Sequence, residues 1–331
     1  MNEKPSIICL TPTKNEDWIL ERFLTCASIW ADHIILCDQQ STDQTLTIAS
    51  RFPKVSVIHN NRPDFDETAM RAMLLQEARK ISGKKLLVSL DADELLSANW
   101  ENSTEWTTMM NAAPGTAFGI RIVNFTPDLS QYFTSEAFYP IAYLDDGTTP
   151  LGGGKLHSTR LPSYKSIVHL NDIRFLHFSL MDIERTLSKN RWYMCYEKIV
   201  NNRNAVSIAR QYNHLNFLKN LSTELPLQPP NPKWMEGYKK RGIDLTSFQK
   251  QNEYFWDRKV LQYFDQYGTK RFRGLDIWYY DWSKIASHKI RNERRWSDKI
   301  ITRYFRFSSL KKRYLRFPYK AIDWILNKMN Y

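Results

Sequence analysis

No stretch of the sequence approaches the roughly 20 apolar residues that a bilayer-spanning helix requires, so a helical membrane-embedded protein is not expected. The opening MNEKPSIICLTPTKNE lacks an apolar core and a small-residue cleavage site, so no secretory signal is expected either. Cysteine is scarce. Cys9, Cys26, Cys37 and Cys195 are scattered, with no CxxC and no Cys/His metal spacing. That excludes a disulfide framework and favours buried thiols in a reducing compartment. Acidic residues are also short, 35 against 47 Lys plus Arg, and none occurs between 299 and 320. No internal repeat or low-complexity tract is present. The expected location is the cytoplasm, at most on the inner face of the cell membrane.

What remains is ample for a folded core. The 331 residues include 42% hydrophobic and 14% aromatic side chains. They suffice for one large α/β domain with an appendage, or for two modest domains. The net charge of +12 favours polyanionic partners: nucleotides, nucleic acid or an anionic membrane. The first third alternates strand-like and helix-like runs. Residues 6–11, 33–38, 55–59 and 85–91 read as strands. Residues 17–30, 42–52 and 67–81 carry apolar residues at helical spacing. A βαβαβαβ order with continuously apolar strands implies a parallel sheet covered on both faces. Right-handed crossovers then bring all strand C-terminal ends to one edge, where open α/β sheets bind ligands. Residues 100–177 are mixed, with strand-like pieces at 117–125, 167–170 and 174–178. A helix is expected over 182–200. The prolines at 226, 229, 230 and 232 mark a boundary. The expected division is a catalytic domain over 1–225, with a nucleotide half near 1–100 and an acceptor half near 101–225, followed by a helical, basic and aromatic region over 226–331.

Polar residues cluster at the ligand-bearing edge. Asp91 and Asp93 follow the fourth strand, where two carboxylates one residue apart can converge on a hard divalent cation such as Mg²⁺ or Mn²⁺. The alternative is a loop of solvated acids, and an isolated DxD is weak; its place in the βα series gives it weight. Asp38 ends the second strand and can accept hydrogen bonds from a ribose or a base, while Ser41 or Thr42 caps the following helix. Thr11, Pro12, Asn15 and Glu16 leave the first strand and can border a base, or simply serve turn and cap. Arg71 on the third helix presents a planar donor fork to a phosphate or base, or to solvent. His177 ends a strand-like run, as a metal ligand or a buried histidine, and His157 follows Gly152–Gly154.

These stretches, TPTKNE at 11–16, DQQSTDQT at 38–45 and DADE at 91–94, resemble glycosyltransferase family 2. Lys155 to His157 and the stretch Trp192-Tyr193-x-Cys195-Tyr196-Glu197 resemble a bacterial subgroup of it. The resemblance implies a GT-A (Rossmann-like) fold with a C-terminal helical extension, a nucleoside-diphosphate sugar donor (a UDP-sugar favoured), and an inverting single displacement. It implies that Thr11, Pro12 and Glu16 line the nucleoside and that Asp38 meets the base or ribose. Arg71 falls near the nucleotide. Asp91 faces ribose and diphosphate, Asp93 holds the metal, and His177 matches a further metal ligand. The acceptor is expected to be a glycan or a lipid-linked sugar of the cell envelope. The familiar DDGSxDGT is altered, losing one acid at Gln39 and both glycines, and no acceptor-side ED or QxxRW motif is present. The general base that an inverting mechanism requires is sought in Asp145 and Asp146, with Glu136 and Asp182 behind them.

Two other classes compete. A sugar nucleotidyltransferase also presents nucleotide at parallel strand ends, but 11–16 contains no glycine. A nucleic-acid-binding protein fits the charge, yet no such module is legible and the basic residues concentrate in the tail, so nucleic acid is not an expected partner. That tail, 299–326, interleaves Lys and Arg with Tyr, Phe and Trp and suits an anionic membrane surface, or a helical pair packing its aromatics inward.

Overall fold

The computed structural model describes residues 4–62, 65–153, 159–212, 225–308, 315–329 and 331. His157 and the tail residues Lys311, Lys312, Arg313 and Tyr314 lie outside them. The chain forms two compact units, 1–181 with 227–250, and 182–226 with 251–331. It passes between them three times, whereas the sequence suggests a single cut near 226. The reason is that 182–212 folds with the C-terminal helices rather than with the sheet.

The first unit is α/β. Its strands are β1 (Ser6–Thr13), β2 (His33–Asp38), β3 (Val55–His59), β4 (Lys85–Ser89), β5 (Glu94–Leu96), β6 (Thr116–Phe125), β7 (Tyr132–Phe133), β8 (Tyr139–Leu144) and β9 (Ser166–His177). The order is β3-β2-β1-β4-β8-β6-β9-β5, with β7 on β6. The pairings β3-β2-β1-β4 are parallel, as in the first half of a Rossmann-like sheet. Strands β8, β7 and β5 run against the rest. Six of the nine described strands therefore share one direction, and the sheet is mostly parallel. The pieces read separately at 167–170 and 174–178 are one strand, β9, whose register against β6 shifts between Ile120 and Arg121.

The continuous apolar character of β1 and β2 has a direct cause. Ile7, Cys9, Ile34 and Leu36 face one core, and Ile8, Leu10, Ile35 and Cys37 face the other. Both faces are dry, so every position is selected for apolar bulk, each fully buried aliphatic side chain being worth about 1.5–3 kcal/mol. Helix α1 (Leu20–Trp30) covers the first face with Leu20, Phe23, Leu24 and Ala27. Helix α2 (Thr45–Ala49) is shorter than the spacing suggests. Helix α3 (Glu67–Arg79) covers the second face with Met70, Leu74, Leu75 and Ala78. The Asp66 side chain caps it by accepting from the Ala69 N–H at 2.8 Å. Helix α4 (Thr104–Asn111) packs near β9.

The second unit is helical. It contains α5 (Ile183–Ile199) and α6 (Ala205–Tyr212). Helix α7 (Lys233–Lys240) returns to the first unit, where the Tyr238 hydroxyl donates to the Leu96 carbonyl at 2.8 Å. Helices α8 (Phe255–Tyr267), α9 (Trp296–Phe307) and α10 (Arg316–Lys328) complete the second unit. Its centre holds a buried ion pair, Arg191 Nη2 to Asp257 Oδ2 at 2.6 Å, which needs its second bond, Nε to Oδ1 at 2.7 Å, to offset desolvation. All four cysteines are buried and free.

Candidate active site

Because six strands point the same way, their C-terminal ends place Thr13, Asp38, Asn60, Asp91, Asp93, Asn124 and His177 along one edge of the sheet. The antiparallel ladder Glu94↔His177 then fixes β5 beside β9, which brings the DxD turn against the histidine. The Phe178 N–H donates to the Asp93 carbonyl at 2.9 Å and closes that junction.

His177 Nε2 faces the Asp93 carboxylate at 3.7 Å. Its Nδ1 lies 2.7 Å from Asn124 Oδ1, across the β6–β9 ladder. An amide oxygen only accepts, so Nδ1 carries a hydrogen and Nε2 is the ring nitrogen that faces Asp93. This is how metal-binding histidines are oriented by an outer partner. Burial opposes the charged imidazole, but the Asp93 carboxylate outweighs it and raises His177 above the ordinary histidine value. Among the described residues no three His, Cys, Asp or Glu side chains converge as a cage. One carboxylate and one aimed imidazole nitrogen nonetheless suit a divalent cation whose remaining ligands are substrate phosphate oxygens.

Asp91 is held by two arginines. Arg71 Nη2 donates to Oδ1 at 3.1 Å and Arg160 Nη2 to Oδ2 at 3.3 Å. Arg71 is buried, and its fork also meets Glu67 (2.9 Å) and Ser89 (3.0 Å). The expectation that it reaches a nucleotide is therefore corrected, because its donors turn inward and orient Asp91. Burial works against the Arg160 cation, but Glu94 and Asp91 more than compensate and push its pKa up. Glu94 also accepts the Asp91 N–H at 2.9 Å, so the fourth letter of DADE braces the first. Neither Arg160 nor Glu94 was singled out by sequence reasoning; a charged residue directly after a DxD was the available signal for Glu94, and none marked Arg160. A cavity of about 710 Å³, lined by Tyr139, Gly152, Arg160 and Tyr164 among others, opens beside this pair.

At the other end of the edge Asp38 is buried. Its Oδ2 accepts from the Ser41 N–H at 3.0 Å, and its Oδ1 has no partner among the described residues. Asn60, one step beyond β3, donates its backbone N–H to the Asp38 carbonyl at 2.8 Å, and its side-chain Nδ2 is likewise buried and has no partner among the described residues. Buried polar groups are nearly always satisfied, so an orphan acceptor and an orphan donor on adjacent strand ends call for a ligand offering both functions.

The loops after β1 and β2 are stitched together. Asn15 Oδ1 accepts from Thr42 N (2.8 Å), Ser41 Oγ from Asn15 N (2.9 Å) and Thr45 Oγ1 from Glu16 N (2.8 Å). The Glu16 carboxylate accepts from the Trp18 indole at 2.7 Å. Ser41 and Thr42 thus join the loops instead of capping α2, whose first turn is served by Asp43 Oδ1 to Thr45 N at 2.9 Å. Gln40 takes φ 54° itself, where the family pattern has glycine. Thr11 and Pro12 lie inside β1, not after it, and the Thr11 hydroxyl is buried against Cys9 Sγ at 3.7 Å.

Asp145 and Asp146 are excluded as the base for this edge. Strand β8 runs against β4, so its end meets the beginning of β4, where Asp145 N donates to Lys85 O at 2.9 Å. Asp91 lies six residues further along the chain from Lys85, about 20 Å at 3.3 Å per residue. Asp145 instead forms a bidentate ion pair with Arg79, which donates from Nε to Oδ2 at 3.1 Å and from Nη2 to Oδ1 at 2.7 Å. Asp146 is committed to Thr148 and Thr149, whose hydrogen bonds hold it well below the usual carboxylate range. Asp182 caps α5 and accepts the Tyr254 hydroxyl on both oxygens. Glu136 is 93% exposed and pairs with Arg121 at 3.4 Å. Because Ile120 pairs with Tyr139 at the start of β8, Glu136 belongs to the ligand-bearing edge.

No family model and no curated protein matches the chain. Among solved structures it is similar to S. aureus TarS 1–349, at 10% identity over 82% of this chain and 75% of that one, with a TM-score of 0.39. It is also similar to glucosyl-3-phosphoglycerate synthase from Mycobacterium tuberculosis in complex with Mn²⁺, UDP and phosphoglyceric acid, at 20% identity, 37% and 43% coverage and a TM-score of 0.24. A third is 4-diphosphocytidyl-2C-methyl-D-erythritol synthase, at 16% identity, 44% and 77% coverage and a TM-score of 0.30. The match to a mycobacterial protein spans 41% of that chain. At such distances the reading of function rests on the residues of the site.

Proposed function

We propose that the protein is an inverting glycosyltransferase of the family 2 type, taking a nucleoside-diphosphate sugar, with UDP favoured, and a glycan or lipid-linked acceptor of the cell envelope. The observation that carries the proposal is the Asp93 carboxylate facing His177 Nε2 at 3.7 Å, with Nδ1 tied to Asn124. Asp93 and His177 would hold Mg²⁺ or Mn²⁺, which when bound neutralises charge gathering on the leaving diphosphate. Asp38 Oδ1 would accept a base N–H, and Asn60 Nδ2 would donate to a neighbouring base carbonyl. Uracil offers both on one edge. Asp91, its carboxylate fixed by Arg71 and Arg160, would border ribose and diphosphate. With Asp145, Asp146 and Asp182 otherwise engaged, we assign acceptor deprotonation to Glu136.

The same site geometry serves a nucleotidyltransferase up to the identity of the attacked atom. Product analysis separates the two: incubation with labelled UDP-sugars yields free UDP and a glycosylated acceptor in the reading proposed here. Release of pyrophosphate from a nucleoside triphosphate, with no UDP formed from any UDP-sugar, would reject it.

The tail is proposed to rest on an anionic membrane. Trp296, Phe307, Phe317 (83% exposed), Trp324 (64%), Ile325 and Met329 are all exposed, while Ile301, Phe305 and Leu326 pack against Val206 and Ala209. The helical pair thus buries one set of apolar residues and leaves another exposed on helices that also carry Lys299, Arg303, Lys320 and Lys328. Each such cation near an anionic surface contributes about 1 kcal/mol. No described helix is long and apolar enough to cross a membrane.

A further inference from the structure

The helical unit contains a second charged cavity that the transfer chemistry does not use. It measures about 400 Å³ and is lined by Lys198, Lys270, Arg271 and Arg273, with the rings of Tyr267 and Tyr331. The four cations come from the end of α5, the 3₁₀ turn Thr269–Phe272 that follows α8, and the residue after it. No Asp or Glu side chain among the described residues lines the cavity. Among the described residues the one acid paired with any of the four is Asp298, 3.8 Å from Arg273 Nε, and Asp298 also takes the Tyr331 hydroxyl and the Arg295 N–H. Arg271 donates to the neutral Asn202 side chain at 3.2 Å. Glu197, the residue before Lys198, is engaged by Arg203, Asn201 and Tyr212.

Like charges gathered around one cavity repel, and the repulsion grows as water is excluded. Surface lysines normally relieve it by swinging apart. Lys198 cannot do so freely, since it is half-buried on α5; burial, then Arg271 and Arg273, lower its pKa. Ala205, the first residue of α6, also lines the cavity, so the positive end of that helix adds to the field. An anion with several acceptor oxygens relieves all of these terms together, and the two tyrosine rings give the cavity a wall for an apolar or sugar face.

We propose that this cavity is a binding site for a phosphorylated saccharide, its phosphate on Lys198, Lys270, Arg271 and Arg273 and its sugar ring against the tyrosines. The site is independent of the nucleotide reading and would stand if that reading failed. For a protein acting on envelope glycans, it would select chains that carry phosphate.

The test uses the full chain and three probes, glucose 6-phosphate, inorganic phosphate and glucose, titrated calorimetrically at ionic strength held constant with chloride. Glucose 6-phosphate should bind more tightly than inorganic phosphate, and glucose should give no heat. Lys270 and Arg271 are exposed, so K270Q/R271Q leaves the fold intact; it should weaken glucose 6-phosphate at least about tenfold while the melting shift given by UDP with Mn²⁺ is unchanged. Equal affinity in the double variant, or no binding beyond the chloride control, overturns the site. Inorganic phosphate binding as tightly as the sugar phosphate overturns the saccharide assignment.

Discussion

Asn124 and His177 pair across the parallel ladder of β6 and β9, and the 2.7 Å contact between Asn124 Oδ1 and His177 Nδ1 decides which nitrogen of the ring faces Asp93. Asn124 thereby fixes the orientation of the His177 ring. Asn124→Ala should lower metal-dependent turnover about 10- to 100-fold, the usual effect of losing an outer partner of a metal ligand. Asn124→Asp, which keeps the acceptor, should recover most of it. Activity plotted against Mn²⁺ concentration should move to higher metal in Asn124→Ala and return in Asn124→Asp; a curve unmoved in both would place His177 outside the metal site.

The orphan atoms at the strand ends give a different kinetic signature. Asp38→Ala removes a hydrogen-bond acceptor, and a hydrogen bond to a side chain of this kind is worth about 1.5–3 kcal/mol, or roughly 10- to 100-fold. Contacts to a base are remote from the reacting carbon and hold equally in ground and transition states, so the loss should appear in donor KM with kcat little changed. Asn60→Ala should act in the same direction and less strongly. Should kcat fall while KM stays constant, the two residues do not bind the base.

Asp145 and Glu136 separate stability from catalysis. Asp145→Ala strips Arg79 of its buried partner and should cost about 2–3 kcal/mol, below the range for a fully buried pair because Arg79 keeps one side to water. Denaturant unfolding measures that cost, and transfer by the folded fraction should be unchanged. Glu136→Gln should do the opposite, lowering kcat with the unfolding midpoint constant. A catalytic defect in the Asp145 variant at full folding would reverse the assignment.

Much of the sheet over residues 6–91 was legible because it obeys simple rules. Strands buried on both faces are apolar throughout, and helices between them show their period. The edge carrying Asp38, Asp91 and Asp93 follows from parallel order alone, whereas His177 reaches it through the antiparallel pairings of β8 with β4 and β6. Long-range antiparallel pairing is what sequence pattern does not carry. The run 139–144 before Asp145 is not read as a strand from the sequence, and it is the reversed direction of β8 that sends Asp145 to the far edge. Arg71 and Arg160 are equally opaque, since nothing local tells a donor fork turned inward from one turned out. Asn60 looks like an ordinary turn residue until its side chain is seen buried beside Asp38.

The tail offers a separate check. Phe317→Ser with Trp324→Ser removes exposed apolar area without touching Phe305 or Leu326, so the fold should stand. Sedimentation with vesicles containing phosphatidylglycerol should fall severalfold in the double variant and weaken in salt, while neutral vesicles bind neither form. Equal sedimentation of both proteins would show that the helical pair does not seat on lipid.

The central claim is that Asp93 couples a divalent ion to a nucleoside diphosphate, and calorimetric titration of UDP into the full chain tests it most directly. With Mn²⁺ present UDP should bind, and chelator should weaken it at least about tenfold. Asp93→Asn should behave in Mn²⁺ as the native chain does in chelator, with its melting temperature in the absence of ligand nearly unchanged. UDP binding that is equally tight in chelator, or equally tight in the Asn variant, would contradict the account.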